Sequence, residues 1–307
     1  METTFISTQK TEFQYSAYIN KEYQSSPHMQ LLRSLKIFAV LLCVILMFVA
    51  CKKDKEEPPR INPDDEIEIA PPNLKSIQKE VNAASGGYYI ALPALYNKTT
   101  KKYPLIVFLH GLGQMGNGKE DLDYILNDGI GKILKDKKFP PNIKSGQNNF
   151  SFIVVSPQFS KKPSAEEVIS IVNEIKSNYR INESRIYLSG LSVGGIVTTN
   201  VAAAYPTRFA AIVPMAGVEI DSTVTSKSEQ IARAGLPVWV FHNEDDPMIS
   251  LFFPQQFVSI LKSFKPSVEP KLTVFPYYGH DAWTMALNPS YKEEGRNIYE
   301  WMLQYSL

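Results

Sequence analysis

Cysteine is nearly absent: the chain of 307 residues has two, Cys43 and Cys51. Both stand ahead of the stretch that reads as a globular domain, which is therefore left without a disulfide and must be stabilised by its core. The same shortage, with the lack of any H-E-x-x-H stretch, leaves no ligand spacing for zinc and gives no reason to expect a metal or another cofactor. Excess charge of one sign is missing too. Lys and Arg number 32 against 31 Asp and Glu, a formal net charge of +1, and no basic tract occurs, so no nucleic-acid partner is expected. No apolar run is long enough to cross a bilayer comfortably, and there is no internal repeat. Histidine is scarce at four residues, His28, His110, His242 and His280, which narrows the search for any imidazole chemistry. What is present is ordinary: 44% hydrophobic and 21% charged residues, the composition of one large globular domain with additions.

The additions lie at the N-terminus. Arg33 and Lys36 precede an uninterrupted apolar run over residues 37–50, which then meets Cys51. A charged head, an apolar middle and a small residue before a cut describe a secretory signal. Phe48-Val49-Ala50-Cys51 resembles a bacterial lipobox, with Phe48 where leucine is usual. On this reading residues 29–50 are a lipoprotein signal peptide beginning at Met29, and residues 1–28 are an untranslated or disordered extension. Cys51 is then lipidated and becomes the first residue of the mature protein. The alternative is an uncleaved N-terminal anchor. Either way the domain is expected outside the cytoplasm, anchored to a bacterial membrane on its periplasmic side or at the cell surface. Residues 51–73 are charged and proline-rich with little to bury, which reads as a tether. The domain proper is expected over residues 74–307.

Within that domain, short runs rich in Tyr, Ile, Val and Phe read as strands at 87–92, 105–109, 152–156, 186–188, 210–213, 238–241 and 272–275. Helical patterns separate them. Ser164-Ala165-Glu166-Glu167 is a capping box, and Val168, Ile171, Val172 and Ile175 follow at helical spacing. The alternation predicts an α/β fold with a mostly parallel central sheet and helices on both faces. At its centre stand residues 186–204, IYLSGLSVGGIVTTNVAAA, which read as strand, tight turn and helix with Ser192 at the tip of a G-x-S-x-G turn. Gly190 and Gly194 let strand and helix approach each other, and the helix aims free N–H groups and its positive end towards the serine oxygen.

Sites in such sheets lie beyond the carboxyl ends of the strands. The residues found there are His110-Gly111-Leu112-Gly113, then Ser192, then the run from His242 to Asp246, then Tyr277-Tyr278-Gly279-His280-Asp281. Ser, Asp, His is the chain order of α/β-hydrolases. A serine hydroxyl needs a base to take its proton, for which His280 is the candidate, and that base needs a carboxylate, Asp245 or Asp246, to orient it. An oxyanion needs N–H donors, expected from Val193 and from Leu112 or its neighbour Gly113.

Five stretches carry a family resemblance: LHGLGQMG at 109–116, RIYLSGLSVGG at 185–195, YPTRFAAIVPMAG at 205–217, VWVFHNEDDPMIS at 238–250 and GHDAW at 279–283. With them the chain from about Gly87 onward resembles an α/β-hydrolase serine esterase. Within that fold it is most similar to esterases and predicted peptidases related to feruloyl and acetylxylan esterases. Asn243 stands where Gly is commoner, Gln114 and Met115 where polar or acidic loop residues are, and residues 217–234 match no family pattern. The resemblance implies Ser192 as nucleophile and His280 as base. It implies Asp246 as the acid, by an H-x-x-x-D spacing from a structural His242 that leaves Asp245 one residue short. It further implies hydrolysis of carboxylic esters through an acyl-enzyme, on a small-molecule or polysaccharide-linked substrate. A serine peptidase on the same triad is the nearest alternative, and a non-catalytic surface binding protein is the alternative from another class. Residues 214–236 are too few for a large lipase lid. Trp283 is the candidate substrate-binding residue, with Tyr278 and Tyr291 as further candidates for a wall and simple packing as the alternative, and the polar patch 144–149 is expected to border the site.

Overall fold

Along Tyr103–Leu109 both faces of the strand are apolar: Leu105, Val107 and Leu109 belong to one buried cluster, Ile106 and Phe108 to another. A strand of that kind must be covered on both sides. The computed structural model describes residues 62–307 and, ahead of them, only positions 27–28, 31 and 34–39. Counting the strands of the main sheet alone, β1 is Asn73–Ile77, β2 Gly87–Leu92, β3 Tyr103–Leu109, β4 Ile153–Gln158, β5 Ile181–Leu191, β6 Ala211–Met215, β7 Trp239–Asp245 and β8 Lys271–Tyr278. Their order across the sheet is β1-β2-β4-β3-β5-β6-β7-β8. β2 runs antiparallel to both β1 and β4, and the other neighbours are parallel.

Helices cover the two faces. α1 is Gly129–Lys135, α2 Ala165–Asn178, α3 Val193–Ala204, α4 Val224–Arg233 and α5 Phe252–Ser263, followed by the short α6, Trp283–Ala286, and α7, Ile298–Met302. Side chains of α2 to α5 pack with Leu105, Val107, Val155 and Leu188, while α1, α6 and α7 pack with Ile106, Phe108, Tyr187 and Phe241. α2 begins as its capping box predicts. Ser164 Oγ accepts from the Glu167 N–H at 3.2 Å, and the Glu167 carboxylate accepts from the Ser164 N–H at 2.8 Å. This is the α/β-hydrolase fold. Leaving β3 the chain turns towards β4, and leaving β5 it turns the other way to β6, so a crevice opens beyond the carboxyl ends of β3 and β5.

Three features differ from expectation. Strands β5, β7 and β8 extend past their apolar centres into less buried ends, because ladder hydrogen bonds continue where side-chain burial does not. The patch at 144–149 lies in a separate antiparallel hairpin that pairs Ile143–Ser145 with Asn148–Phe150. Finally, the compact unit begins at Asn62 rather than at residue 74. Glu68 is buried and its carboxylate accepts from the Leu95 N–H at 2.9 Å, while its carbonyl accepts from Asn142 Nδ2 at 2.8 Å. Asp64 accepts from the N–H and the hydroxyl of Thr100, each at 2.6 Å. Polar attachments of this kind leave no hydrophobic period in a sequence. Cys51 and most of the expected signal peptide lie outside the described residues, as does the tether up to residue 61.

Candidate active site

Strand β5 ends at Leu191 and α3 starts at Val193, so the whole turn is made by Ser192. Its φ of 52° and ψ of −121° lie in a region that side-chain-bearing residues avoid, at a cost of order 1–3 kcal/mol. The surroundings hold it there. A methyl group on Gly190 would collide with the Gly194 carbonyl oxygen, and one on Gly194 with the Leu109 carbonyl oxygen. The Ser192 N–H donates to the Met215 carbonyl at 2.9 Å, fixing the turn to β6.

Asp246 meets this serine from the end of β7 and His280 from the loop after β8. His280 Nε2 lies 2.8 Å from Ser192 Oγ, and His280 Nδ1 lies 2.7 Å from Asp246 Oδ2. The other carboxylate oxygen, Oδ1, accepts from the N–H groups of Met248 and Ile249 at 2.8 and 3.1 Å. An acid gripped in this way offers its free oxygen as acceptor, so the imidazole proton sits on Nδ1 and the Nε2 lone pair faces the hydroxyl. The Asp246 side chain is 0% exposed, whereas Asp245 stands in solvent. His242 is buried behind the acid, donating from Nε2 to the Ile249 carbonyl at 2.8 Å.

Across the crevice, the loop after β3 is pinned by two buried polar residues. The Phe159 N–H donates to His110 Nε2 at 2.9 Å, which puts the ring proton on Nδ1, facing the Gly111 carbonyl at 2.7 Å. Gln114 Oε1 accepts from the Gly111 N–H at 3.2 Å, and Gln158 in turn holds the Gln114 carbonyl at 3.0 Å. Among the described residues no acceptor takes the N–H of Leu112, Gly113 or Val193. All three residues line the same cleft of about 570 Å³ as Ser192 and His280, so their N–H groups are available there to a developing negative charge.

That cleft is completed by Tyr124, Asn127, Asp128, Met248, Ile249 and Trp283. Of the aromatic wall expected from the sequence, Trp283 is present, buried, with its ring edge-on to His280. Tyr278 is 81% exposed and Tyr291 packs on Phe275, so neither lines the cleft. The polar patch at 144–149 does not border it either: Gln147, Asn148 and Asn149 line a different hollow with Asp64 and Lys101. Residues 218–236 contain α4, with Val224 and Ile231 in the core, and none of them lines the cleft. Tyr124, Asn127 and Asp128 have no signature in the sequence, because their arm between β3 and β4 carries no periodic signal.

Burial holds both His110 and His242 below the ordinary imidazole range, so both are neutral in the folded chain. Above the unfolded-state value of about 6.5, neither group binds a proton in either state. As pH falls through that value the unfolded chain takes up protons that the folded chain refuses. Stability is therefore lost, by up to about 1.4 kcal/mol per pH unit for each histidine. We expect the urea midpoint to fall between about pH 7 and about pH 5.5. A midpoint constant over that window would show that these rings are not held neutral.

Residues 91–292 match the phospholipase/carboxylesterase family. Poly(3-hydroxyalkanoate) depolymerase C of Paucimonas lemoignei is 32% identical over 117 residues, 37% of this chain and 28% of that protein. The bifunctional acetylxylan esterase/xylanase XynS20E of Neocallimastix patriciarum is 25% identical over 171 residues, 53% of this chain and 22% of that one. The chain thus spans about a quarter of the length of these curated relatives. Among solved structures, a thermostable esterase shares the fold at a TM-score of 0.53 and 24% identity, over 76% of this chain and 63% of its own.

Proposed function

The chain belongs to the phospholipase/carboxylesterase family, and from that we propose that it hydrolyses carboxylic esters with Ser192 as nucleophile, through an acyl-enzyme and without a cofactor. The observation that carries this reading is the unbroken hydrogen-bond chain from Ser192 through His280 to Asp246, with links of 2.8 and 2.7 Å. Ser192 Oγ adds to the ester carbonyl carbon as its proton passes to His280 Nε2. Charge on the carbonyl oxygen is taken up by the N–H of Val193 and that of Leu112 or Gly113. The alcohol leaves with the proton from Nε2. Water then repeats the sequence on the acyl-serine, releasing the acid and restoring the serine.

The cleft has Tyr124, Leu191, Met248, Ile249 and Trp283 in its lining and no Lys or Arg, which favours an ester uncharged near the scissile bond. With α4 packed away from its mouth, an ester borne on a polymer has access as well as a small one. A feruloyl or acetyl group on a polysaccharide fits this description, and the two curated relatives are named for a polyester and an acetylated xylan. The test sets short-chain aryl esters, feruloylated and acetylated sugars, and peptides side by side. Turnover of esters is expected, and hydrolysis of the peptides alone would make the protein a peptidase.

We also propose that Cys51 carries a lipid that anchors the protein to a bacterial membrane outside the cytoplasm, on its periplasmic side or at the cell surface, motivated by Arg33, Lys36, the apolar residues 37–50 and the lipobox-like end. A palmitate analogue is expected to label the wild type and not Cys51→Ser. Equal labelling of the two would refute the anchor.

A further inference from the structure

His280 is held at both ring nitrogens, by Ser192 and by Asp246. Two hydrogen bonds along one axis leave the ring free to tilt about that axis. A third contact stops the tilt: Trp283 stands edge-on to the imidazole, with centroids 5.3 Å apart and planes at 87°. The indole is held in turn from across the cleft, where its Nε1–H donates to Asp128 Oδ1 at 2.6 Å. Asp128 belongs to the arm that leaves β3 with Gly111 and Leu112, so the bond joins the loop expected to hold the oxyanion to the loop that carries the imidazole. The same Oδ1 accepts from the Gly129 N–H at 2.8 Å at the start of α1, which fixes the carboxylate on a secondary-structure element.

We propose that Asp128 is a positioning residue: acting through Trp283, it sets the tilt of the His280 ring against Ser192. The proposal rests on the serine-hydrolase reading. Holding the base affects the chemical step more than the binding of substrate, and it acts along one path, so the two partners must behave as a unit.

The experiment is a double-mutant cycle on the full chain with a neutral aryl ester. Asp128→Ala and Trp283→Phe are each expected to lower kcat about tenfold with KM within about threefold of wild type. The double variant is expected to lose about the same tenfold rather than about a hundredfold. Asp128→Asn keeps an acceptor oxygen for the indole and is expected to recover most of the loss. Losses that multiply in the double variant, or that fall on KM alone, would overturn the proposal. Trp283→Phe leaves the Asp128 to Gly129 bond in place, so it decides the matter even if Asp128→Ala does not fold. In that variant a kcat within about twofold of wild type would overturn the proposal. Full turnover by Ser192→Ala in the same assay would instead remove the serine-hydrolase reading on which the cycle depends.

Discussion

Replacing Ser192 with alanine is expected to lower turnover of an aryl ester by at least about a thousandfold, and His280→Ala to do the same, because nucleophile and base act as a unit. What remains would come from the N–H donors and from binding. The fold should survive the serine change. Ser192 Oγ has its bond to His280 and caps nothing on α3, and the strain at φ 52° is the same for alanine as for serine. Thermal unfolding should therefore stay close to wild type, which separates lost chemistry from lost structure. A folded Ser192→Ala variant with wild-type turnover would exclude the mechanism.

The second large effect distinguishes two neighbouring acids. Asp246→Asn should fold and still react slowly with a fluorophosphonate at Ser192, yet turn over about three to four orders of magnitude more slowly. The Asn oxygen can keep the Met248 and Ile249 N–H bonds that Oδ1 now accepts. Its NH2 then faces His280 Nδ1, forces that nitrogen to act as acceptor, and drives the ring proton to Nε2, where the serine needs a lone pair. Asp245→Asn changes an exposed side chain and should cost at most a few fold. Steady-state kinetics on the two variants decides it, and a crippled Asp245→Asn beside a near-normal Asp246→Asn would reverse the assignment.

The α/β-hydrolase fold was legible because its signals are local. Strand centres are apolar runs, α2 announces itself with Ser164 and Glu167, and the sharp turn at Ser192 needs Gly190 and Gly194 within two residues. The positions after the strands could be inspected one by one, since a parallel sheet gathers them at one edge; the structure brings Ser192, Asp246 and His280 together there. The walls of the cleft were not legible. Trp283 finds Asp128 across 155 positions of sequence, and nothing in either neighbourhood announces the other. Tyr278 lies nearer to His280 in sequence than Trp283 does and Tyr291 farther, but β8 and the loop after it send both elsewhere. Edge strand β1 is mostly exposed and has too little apolar alternation to be legible in the sequence.

The polar fastening of residues 62–73 bears on where the chain can be cut. A fragment opening at residue 74 would leave the Leu95 N–H and the Thr100 backbone without the carboxylates that now accept from them, and would unseat Asn142. It would also shear the first residue from β1, whose Asn73 pairs with Leu92. Residues 62–73, the stretch that looks most expendable by composition, thus form the outer hem of the domain.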